Sequence, residues 1–274
     1  MELSVSLVVY HQRLEQVRAL LDAVLCAQPK QFVIVDNGQD AFFCHALQQK
    51  FPQICYLPSD NRGFGAGHNQ AIRLAMKTGA KYLAVVNPDI EFEPGTLEAI
   101  AGYLDAHPDV GMLMPKTLNA DGSLQYNCKL VPSPFDLIFK RFLPKWMTRR
   151  RMERFMLKGA DFDKEMDIPY LCGCFLVFRL EALREIGLFD ERFFMYPEDI
   201  DITRRMYASR WRSVYWPGAA VTHAHEAASY KNWRMLRIHI WNMIKYFNKW
   251  GWLFDFERYR INREVRQTIF GFRR

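Results

Sequence analysis

The chain contains no apolar run approaching the roughly 20 residues needed to span a bilayer; the densest stretch, LCGCFLVF from Leu171 to Phe178, is far shorter. Low-complexity tracts and internal repeats are also missing, which argues against disorder and against solenoid architectures. The first residues, LSVSLVVY, read as a strand and offer neither a basic leader nor a small-residue cleavage site, so a cytoplasmic location is expected. Cysteine is sparse, with six scattered positions (Cys26, Cys44, Cys55, Cys128, Cys172, Cys174). The Cys172/Cys174 pair has neither zinc spacing nor a second pair, so reduced, mostly buried thiols are expected.

What is present fits a folded enzyme-sized protein: 274 residues, half of them hydrophobic. The net charge of +7 is unevenly placed. Lys140 to Lys158 holds eight Lys/Arg against one acid, and Lys231 to Arg274 holds eleven against three, leaving the remainder net acidic. The basic character therefore belongs to two local surfaces and points to anionic partners there.

In the first half, apolar runs at Val5 to Val9, Phe32 to Val35, Ile54 to Leu57 and Tyr82 to Val86 alternate with helix-period segments at Leu14 to Ala27, Phe42 to Phe51 and Ala66 to Thr78. Alternation of this kind predicts a parallel sheet whose strand carboxyl ends form one ligand edge. Asp36, Asn61 and Asp89 fall on that edge. A helix from Pro94 to His107 and a strand from Val110 to Met114 follow; then the pattern loosens until a strand from Tyr170 to Arg179.

Several motifs carry chemistry. Asp36 ends a strand as VDNG, where a carboxylate can accept from a base or a ribose hydroxyl, or simply cap a turn. NRGFGAGHN, Asn61 to Asn69, puts three glycines between strand and helix, which allows close backbone approach to a nucleotide, although its spacing is no phosphate-loop or dinucleotide fingerprint. In Asn87-Pro88-Asp89 the proline halts the strand and the acid projects where a hard divalent cation can bridge carboxylate and diphosphate. Glu198-Asp199 opens a helix-like run to Tyr207, where acids are favoured by the helix dipole and one can also serve as a base.

The ordered set VVYH, VDN, NRGFGAGHN, NPD, CGCFLVFR, GLFDERFFMYPEDID and VTHAH resembles the inverting nucleotide-sugar glycosyltransferases of family 2, over about Ser4 to Ser229. The nearest likeness is to the bacterial branch of rhamnosyltransferases in cell-surface polysaccharide assembly. The resemblance implies a GT-A fold, a Rossmann-like mixed, mostly parallel sheet flanked by helices, over residues 1–229; charge and apolar spacing add a basic amphipathic insertion at 135–158 and a basic helical extension over 230–274. It implies that Val9, Tyr10 and Asp36 line the base and ribose site, with Asn61, Gly63 and Asn69 on the other wall. Asn87 would contact donor, and Cys172 and Gly173 would line the sugar or acceptor pocket. Asp89 would be the main ligand of Mg2+ or Mn2+, with His223 completing the site and His225 its less favoured neighbour. The first acid of the family's DxD signature is Asn87 here, a poorer ligand, and His11 replaces an asparagine common after the first tyrosine. Asp199 would be the general base, with Glu198 contacting acceptor or positioning the loop, and Asp190 and Asp201 structural.

The implied partners are a nucleoside diphosphate sugar, dTDP-rhamnose first, and a saccharide acceptor carried on a polyprenyl diphosphate. Apolar stripes at Phe135 to Met147 and Trp233 to Trp250, each accompanied by cations, fit helices lying on an anionic membrane at its inner face, or equally packing on the core or in a homodimer. A catalytically silent sugar-nucleotide or membrane-binding protein is the alternative reading. No nucleic-acid-binding motif supports a third.

Overall fold

The structure, a computed structural model, describes residues 1–138, 143–224 and 233–271. The chain opens with β1 (Leu3–Val9), α1 (Leu14–Cys26), β2 (Gln31–Asp36), α2 (Ala41–Lys50), β3 (Cys55–Pro58), α3 (Phe64–Lys77) and β4 (Tyr82–Val86). Nearly every residue of β1 and β4 is buried because helices cover the sheet on both sides; β1 puts Leu3, Val5, Leu7 and Val9 on one face and Ser4, Ser6 and Val8 on the other. β5 (Ile90–Phe92), α4 (Thr96–Ala106), β6 (Val110–Leu118) and β7 (Cys128–Lys129) follow, then α5 (Pro134–Leu137) and α6 (Lys145–Phe155). The remainder is β8 (Met166–Asp167), β9 (Tyr170–Leu171), β10 (Phe175–Arg179), α7 (Leu180–Ile186), α8 (Pro197–Tyr207), β11 (Arg212–His223), α9 (Trp233–Trp250) and α10 (Phe256–Phe270).

The main sheet has the order β3-β2-β1-β4-β10-β6-β11-β5, with β8 on β11. β1 pairs in parallel with both β2 and β4, so the strand order reverses beside β1 and opens a crevice at the carboxyl ends. The register places Val9 opposite Asp36, and Asp36 opposite Pro58. β10 is antiparallel to β4 and β6, and β5 to β11, which makes the sheet mixed.

Three expectations change. The strand read from Tyr170 to Arg179 is two: β9 pairs with β7 in a small separate sheet, and a turn at 172–174 redirects the chain into β10. The stripe read as one helix from Phe135 to Met147 is divided between α5 and α6, because Pro144 occupies the N-cap of α6 instead of a helix interior. Its Phe139, Lys140, Arg141 and Phe142 lie outside the described residues, as do His225 and the boundary at 229. The thiols are all free, but only Cys128 and Cys174 are buried, and Cys26 is exposed.

The C-terminal stripe packs on the core. Met243, Tyr246, Phe247, Ile261 and Val265 are buried in the same cluster as Phe193 and Ile200. Arg204, 1 % exposed, makes paired 2.7 Å bonds to Asp255 at the start of α10. Trp211 is buried, and Trp216 lies over Tyr103 with ring centroids 4.7 Å apart, so both indoles serve packing. Arg204→Met removes the paired bonds to the buried Asp255 and leaves it only the longer 3.6 Å ion pair with Arg258, and is expected to destabilise the fold by about 3 kcal/mol in denaturant titrations.

Candidate active site

At the carboxyl end of β2, Asp36 is 1 % exposed and accepts three hydrogen bonds: from the Gly38 and Asp40 N–H groups at 2.8 and 2.9 Å, and from the Tyr56 hydroxyl at 2.8 Å. It organises the loop behind Val9 and Tyr10. Val9 is buried, whereas Tyr10 is half-exposed with its ring 4.2 Å from that of His11. Asn61 is exposed on the next strand-to-helix connection.

The glycines after Asn61 face protein. Gly63 has φ +107, and a Cβ there would lie 2.1 Å from the Phe194 carbonyl oxygen; Cβ atoms at Gly65 and Gly67 would meet Phe189 and Val8 side chains, each at 2.8 Å. Gly63 and Gly65 let the loop before α8 press against α3, and Gly67 lets α3 press on β1, a different use from the nucleotide approach expected of them. Asn69 belongs to the same contact. Its amide accepts from the Phe189 N–H at 3.0 Å and donates to the Phe189 carbonyl at 2.9 Å and to Glu191 at 3.0 Å. With 1 % of its surface exposed, Asn69 shapes the acid loop instead of facing a ligand.

That loop enters α8 through Tyr196 at φ +91, a left-handed conformation that a bulky residue adopts only under constraint. The constraint comes from both sides. The Phe64 N–H of α3 donates to the Phe194 carbonyl at 3.0 Å, and Asn242 of α9 donates to the Met195 carbonyl at 3.1 Å. Pro197 then begins α8, and Glu198 and Asp199 sit in its first turn. Asp190 and Asp201 hold the framework: Lys249 bonds both, at 2.9 and 2.6 Å, and Trp250 and Arg205 complete Asp201. The Arg192 guanidinium holds the Asp190 carboxyl well below the usual range.

The two acids at the helix start diverge. Glu198 is 4 % exposed, and its Cβ is 3.5 Å from the position a Cβ would take at Gly65. Burial, then the charge of Asp199, pushes its carboxyl up to about 8, and its Oε2 has no hydrogen-bond partner among the described residues. Asp199 turns the other way, accepting from the Gly173 N–H at 3.0 Å and from the Ile200 N–H at 2.7 Å. Burial raises its carboxyl to about 6, opposed by the Gly173 N–H and by the cation of Lys129. A Cβ at Gly173 would stand 3.1 Å from Asp199 Cβ, so glycine there permits the close approach. Lys129 also donates to Cys172 Sγ at 2.9 Å.

The Asn87-Pro88-Asp89 turn is tied to the same segment, its Asn87 N–H donating to the Cys174 carbonyl at 2.9 Å. Asn87 Oδ1 is buried with no hydrogen-bond partner among the described residues. Asp89 Oδ2 lies 3.3 Å from Nε2 of His223, at the end of β11, and the Ala224 N–H donates to the Asp89 carbonyl at 3.0 Å. His223 Nδ1 is 2.8 Å from Gln125 Oε1. Gln125 donates through Nε2 to Asn119 at 2.9 Å, so its Oε1 is an acceptor and His223 carries its proton on Nδ1. In the neutral imidazole this puts the unprotonated Nε2 on the side of Asp89, the arrangement a cation shared by the two would use. Two ligands at right angles on an octahedral ion of ~2.1 Å bond length stand about 3 Å apart, so this pair fits one divalent cation. Among the described residues no group of three or more His, Cys, Asp or Glu side chains gathers as a metal site, so remaining positions would fall to phosphate oxygens and water.

Sequence reasoning missed Gln125, Lys129 and Tyr56. The first two lie in the stretch where hydrophobic periodicity fades, and Tyr56 reads only as a strand residue. No local signal marks any of them.

The strand order and the acids along its carboxyl edge define a GT-A glycosyltransferase fold. The chain belongs to glycosyl transferase family 2, whose signature matches residues 4–187. It is 31 % identical over 217 residues to the N-acetylglucosaminyl-diphospho-decaprenol L-rhamnosyltransferase of Mycobacterium tuberculosis, covering 74 % of this chain and 68 % of that protein. It is 21 % identical over 225 residues to rhamnosyltransferase WbbL of Escherichia coli (strain K12), covering 80 % and 83 %. Among solved structures, GalNAc-T7 with UDP, GalNAc and Mn2+ superposes with a TM-score of 0.58 at 12 % identity over 81 % of this chain; the chain spans 43 % of that structure's length.

The Glu198 environment has a stability consequence. An unfolded glutamate titrates near ~4.3, whereas the native one holds its proton to about 8. Between those values the native state binds more protons, so stability falls as pH rises. Glu198→Gln is expected to be more stable than the parent at pH 8, by ~1 kcal/mol or more, with the gap closing toward pH 4. Denaturant titrations across that range check it.

Proposed function

We propose that the protein is an inverting, metal-assisted glycosyltransferase that moves rhamnose from a nucleoside diphosphate, dTDP-rhamnose first, to a saccharide carried on a polyprenyl diphosphate. The reading places it in cell-surface polysaccharide assembly of the O-antigen or capsule type, at the inner face of the membrane. The similarity to a transferase named for a diphospho-decaprenol-linked acceptor supports this substrate class. No helix among the described residues is long and apolar enough to cross a membrane, so attachment would be peripheral. The observation that carries the chemistry is Asp199, a carboxylate aligned by two backbone N–H groups and raised to about 6, on the same sheet edge as Asp89 and His223.

In this reading Val9, Tyr10, Asp36 and Asn61 border the base and ribose, with Gly63 and Asn69 holding the far wall in place. Asn87, Cys172 and Gly173 line the sugar. Asp89 and His223 would hold Mg2+ or Mn2+, which offsets charge on the departing diphosphate. The acceptor hydroxyl gives its proton to Asp199 while its oxygen bonds the anomeric carbon from the face opposite the diphosphate. The bond from that carbon to the phosphate oxygen breaks, its electron pair leaves with the nucleoside diphosphate, and the anomeric centre inverts. Glu198, protonated at neutral pH, keeps the α8 entrance packed on α3 and avoids a second negative charge beside the base.

With dTDP-rhamnose and a short-chain N-acetylglucosaminyl-diphospho-prenol, Asp199→Asn is expected to lower kcat about 10²–10⁴-fold. The parent's rate should fall as pH drops through about 6, where Asp199 takes up its proton. Chelation should abolish transfer, and Gln125→Ala should weaken the apparent metal affinity by about 10–100-fold. Full transfer by both Asp199→Asn and Asp89→Asn would refute the assigned roles, and donor binding without turnover by the parent would favour a silent binding protein.

A further inference from the structure

The buried face of α9 cannot lie on a membrane, since Met243 and Phe247 are in the core and Lys245 and Lys249 bond the loop before α8 and, through Lys249, Asp201. A different surface has that character. Between α9 and α10 the chain turns at Gly251, φ +100, and presents Leu253, Phe254, Phe256 and Tyr259 at 67, 85, 80 and 60 % exposure, beside Trp252. So much apolar surface concentrated in eight residues is unlike the scattered exposed hydrophobics of an ordinary surface.

Part of the elbow's hydrogen-bonding capacity is met internally. Arg258, 3 % exposed, donates to the Trp252 and Leu253 carbonyls at 3.3 and 3.4 Å, and the Tyr259 hydroxyl donates to the Leu253 carbonyl at 3.3 Å. The Gly251 N–H donates to the Phe247 carbonyl at 2.8 Å, and the Trp252 indole to Asn248 at 2.8 Å. The Arg258 guanidinium lies 3.6 Å from Asp255, and the Trp252 and Leu253 carbonyls and the Trp252 indole are thus satisfied within the elbow. Its base is anchored, because Asp255 accepts both the Arg258 N–H and the buried Arg204 guanidinium.

Charge is graded along the same helix face. Phe256 and Tyr259 are followed at helical spacing by exposed Arg260, Arg263 and Arg266. Seven residues of α-helix rise about 10 Å, which sets arginines at headgroup height when the aromatics enter the acyl boundary, roughly 5–10 Å deep. Of the neighbouring acids, Glu257 is tied to Arg204 and Glu264 to Arg260. We infer that the α9–α10 elbow is a membrane anchor that inserts Leu253, Phe254 and Phe256 into the boundary of an anionic bilayer. Side chains exposed over two-thirds or more of their surface stand proud of the protein; lipid closes around such groups, whereas a rigid partner would need matching pits. The inference rests on the lipid-linked acceptor reading and identifies the surface that reading requires.

The test compares the full chain with Phe254→Glu/Phe256→Glu and with Arg263→Glu/Arg266→Glu in flotation with phosphatidylglycerol-containing or pure phosphatidylcholine vesicles. The parent should partition onto anionic vesicles. The aromatic variant should lose ~10-fold or more of that binding at any salt, and the arginine variant should lose the anionic preference. Both should transfer normally to the short-chain acceptor, which shows them folded. Parental binding by the aromatic variant overturns the anchor while leaving the transferase reading intact. Absence of vesicle binding by the parent also overturns it, and so does a parental dimer in sedimentation that the aromatic variant dissociates. Failure of the parent to transfer to any acceptor, with vesicle binding intact, instead sinks the underlying reading alone.

Discussion

Three consecutive residues between β9 and β10 hold the site together. Cys172 takes the Lys129 ammonium on its sulfur, Gly173 gives its N–H to Asp199, and Cys174 gives its carbonyl to the Asn87 N–H. The turn therefore sets the position of the base against the position of the metal-binding turn. It also reaches the histidine: the Cys172 N–H donates to Asn127, Asn127 donates to Gln125, and Gln125 fixes the tautomer of His223. A strand continuing straight from Tyr170 to Arg179 would leave these groups on separate elements.

The second constraint is the clamp on the loop that leads into α8. α3 approaches it closely because Gly63 and Gly65 lack side chains, and α9 holds its other side through Asn242, Lys245 and Lys249. The unfavourable φ of Tyr196 survives because both neighbours over-determine it. In return, Glu198 and Asp199 are presented in different directions from one helical turn, one toward α3 and one toward the turn at Gly173. Their separate surroundings give two adjacent carboxyls different protonation at neutral pH.

The first half of the fold was legible because each element there carries its own period. The Val- and Leu-rich runs of β1 and β4 and the amphipathic α1 and α3 declare themselves within a few residues. Between Asn119 and Ile168 the described residues include the two-residue strands β7 and β8 and the four-residue α5, whose stability comes from distant partners, and there periodicity gives no guide. Gln125 and Lys129 were lost for that reason. The C-terminal stripe shows the converse: its spacing announced an amphipathic helix but left core packing, a membrane face and a dimer open, because spacing cannot tell a core from a lipid surface. The apolar side of α9 faces Phe193 and Ile200, while the exposed aromatics sit at the elbow beyond it.

By itself the sequence determined the fold class, the ligand edge and the order of the acidic motifs, because alternating strand and helix periods and chain-halting residues such as Pro88 act locally. Tertiary structure decided what each motif does. The glycines of NRGFGAGHN became a packing seam, Asn69 a clamp, and Asp36 a loop organiser, since a missing Cβ or a hydrogen bond has meaning only through the group it meets. Asp199 acquired its raised pKa from burial, held in check by the Gly173 N–H, and His223 its hydrogen-bonded Nδ1 from a glutamine 98 positions away. Desolvation and long-range hydrogen bonds depend on what lies across the fold, and no local pattern of residues encodes that.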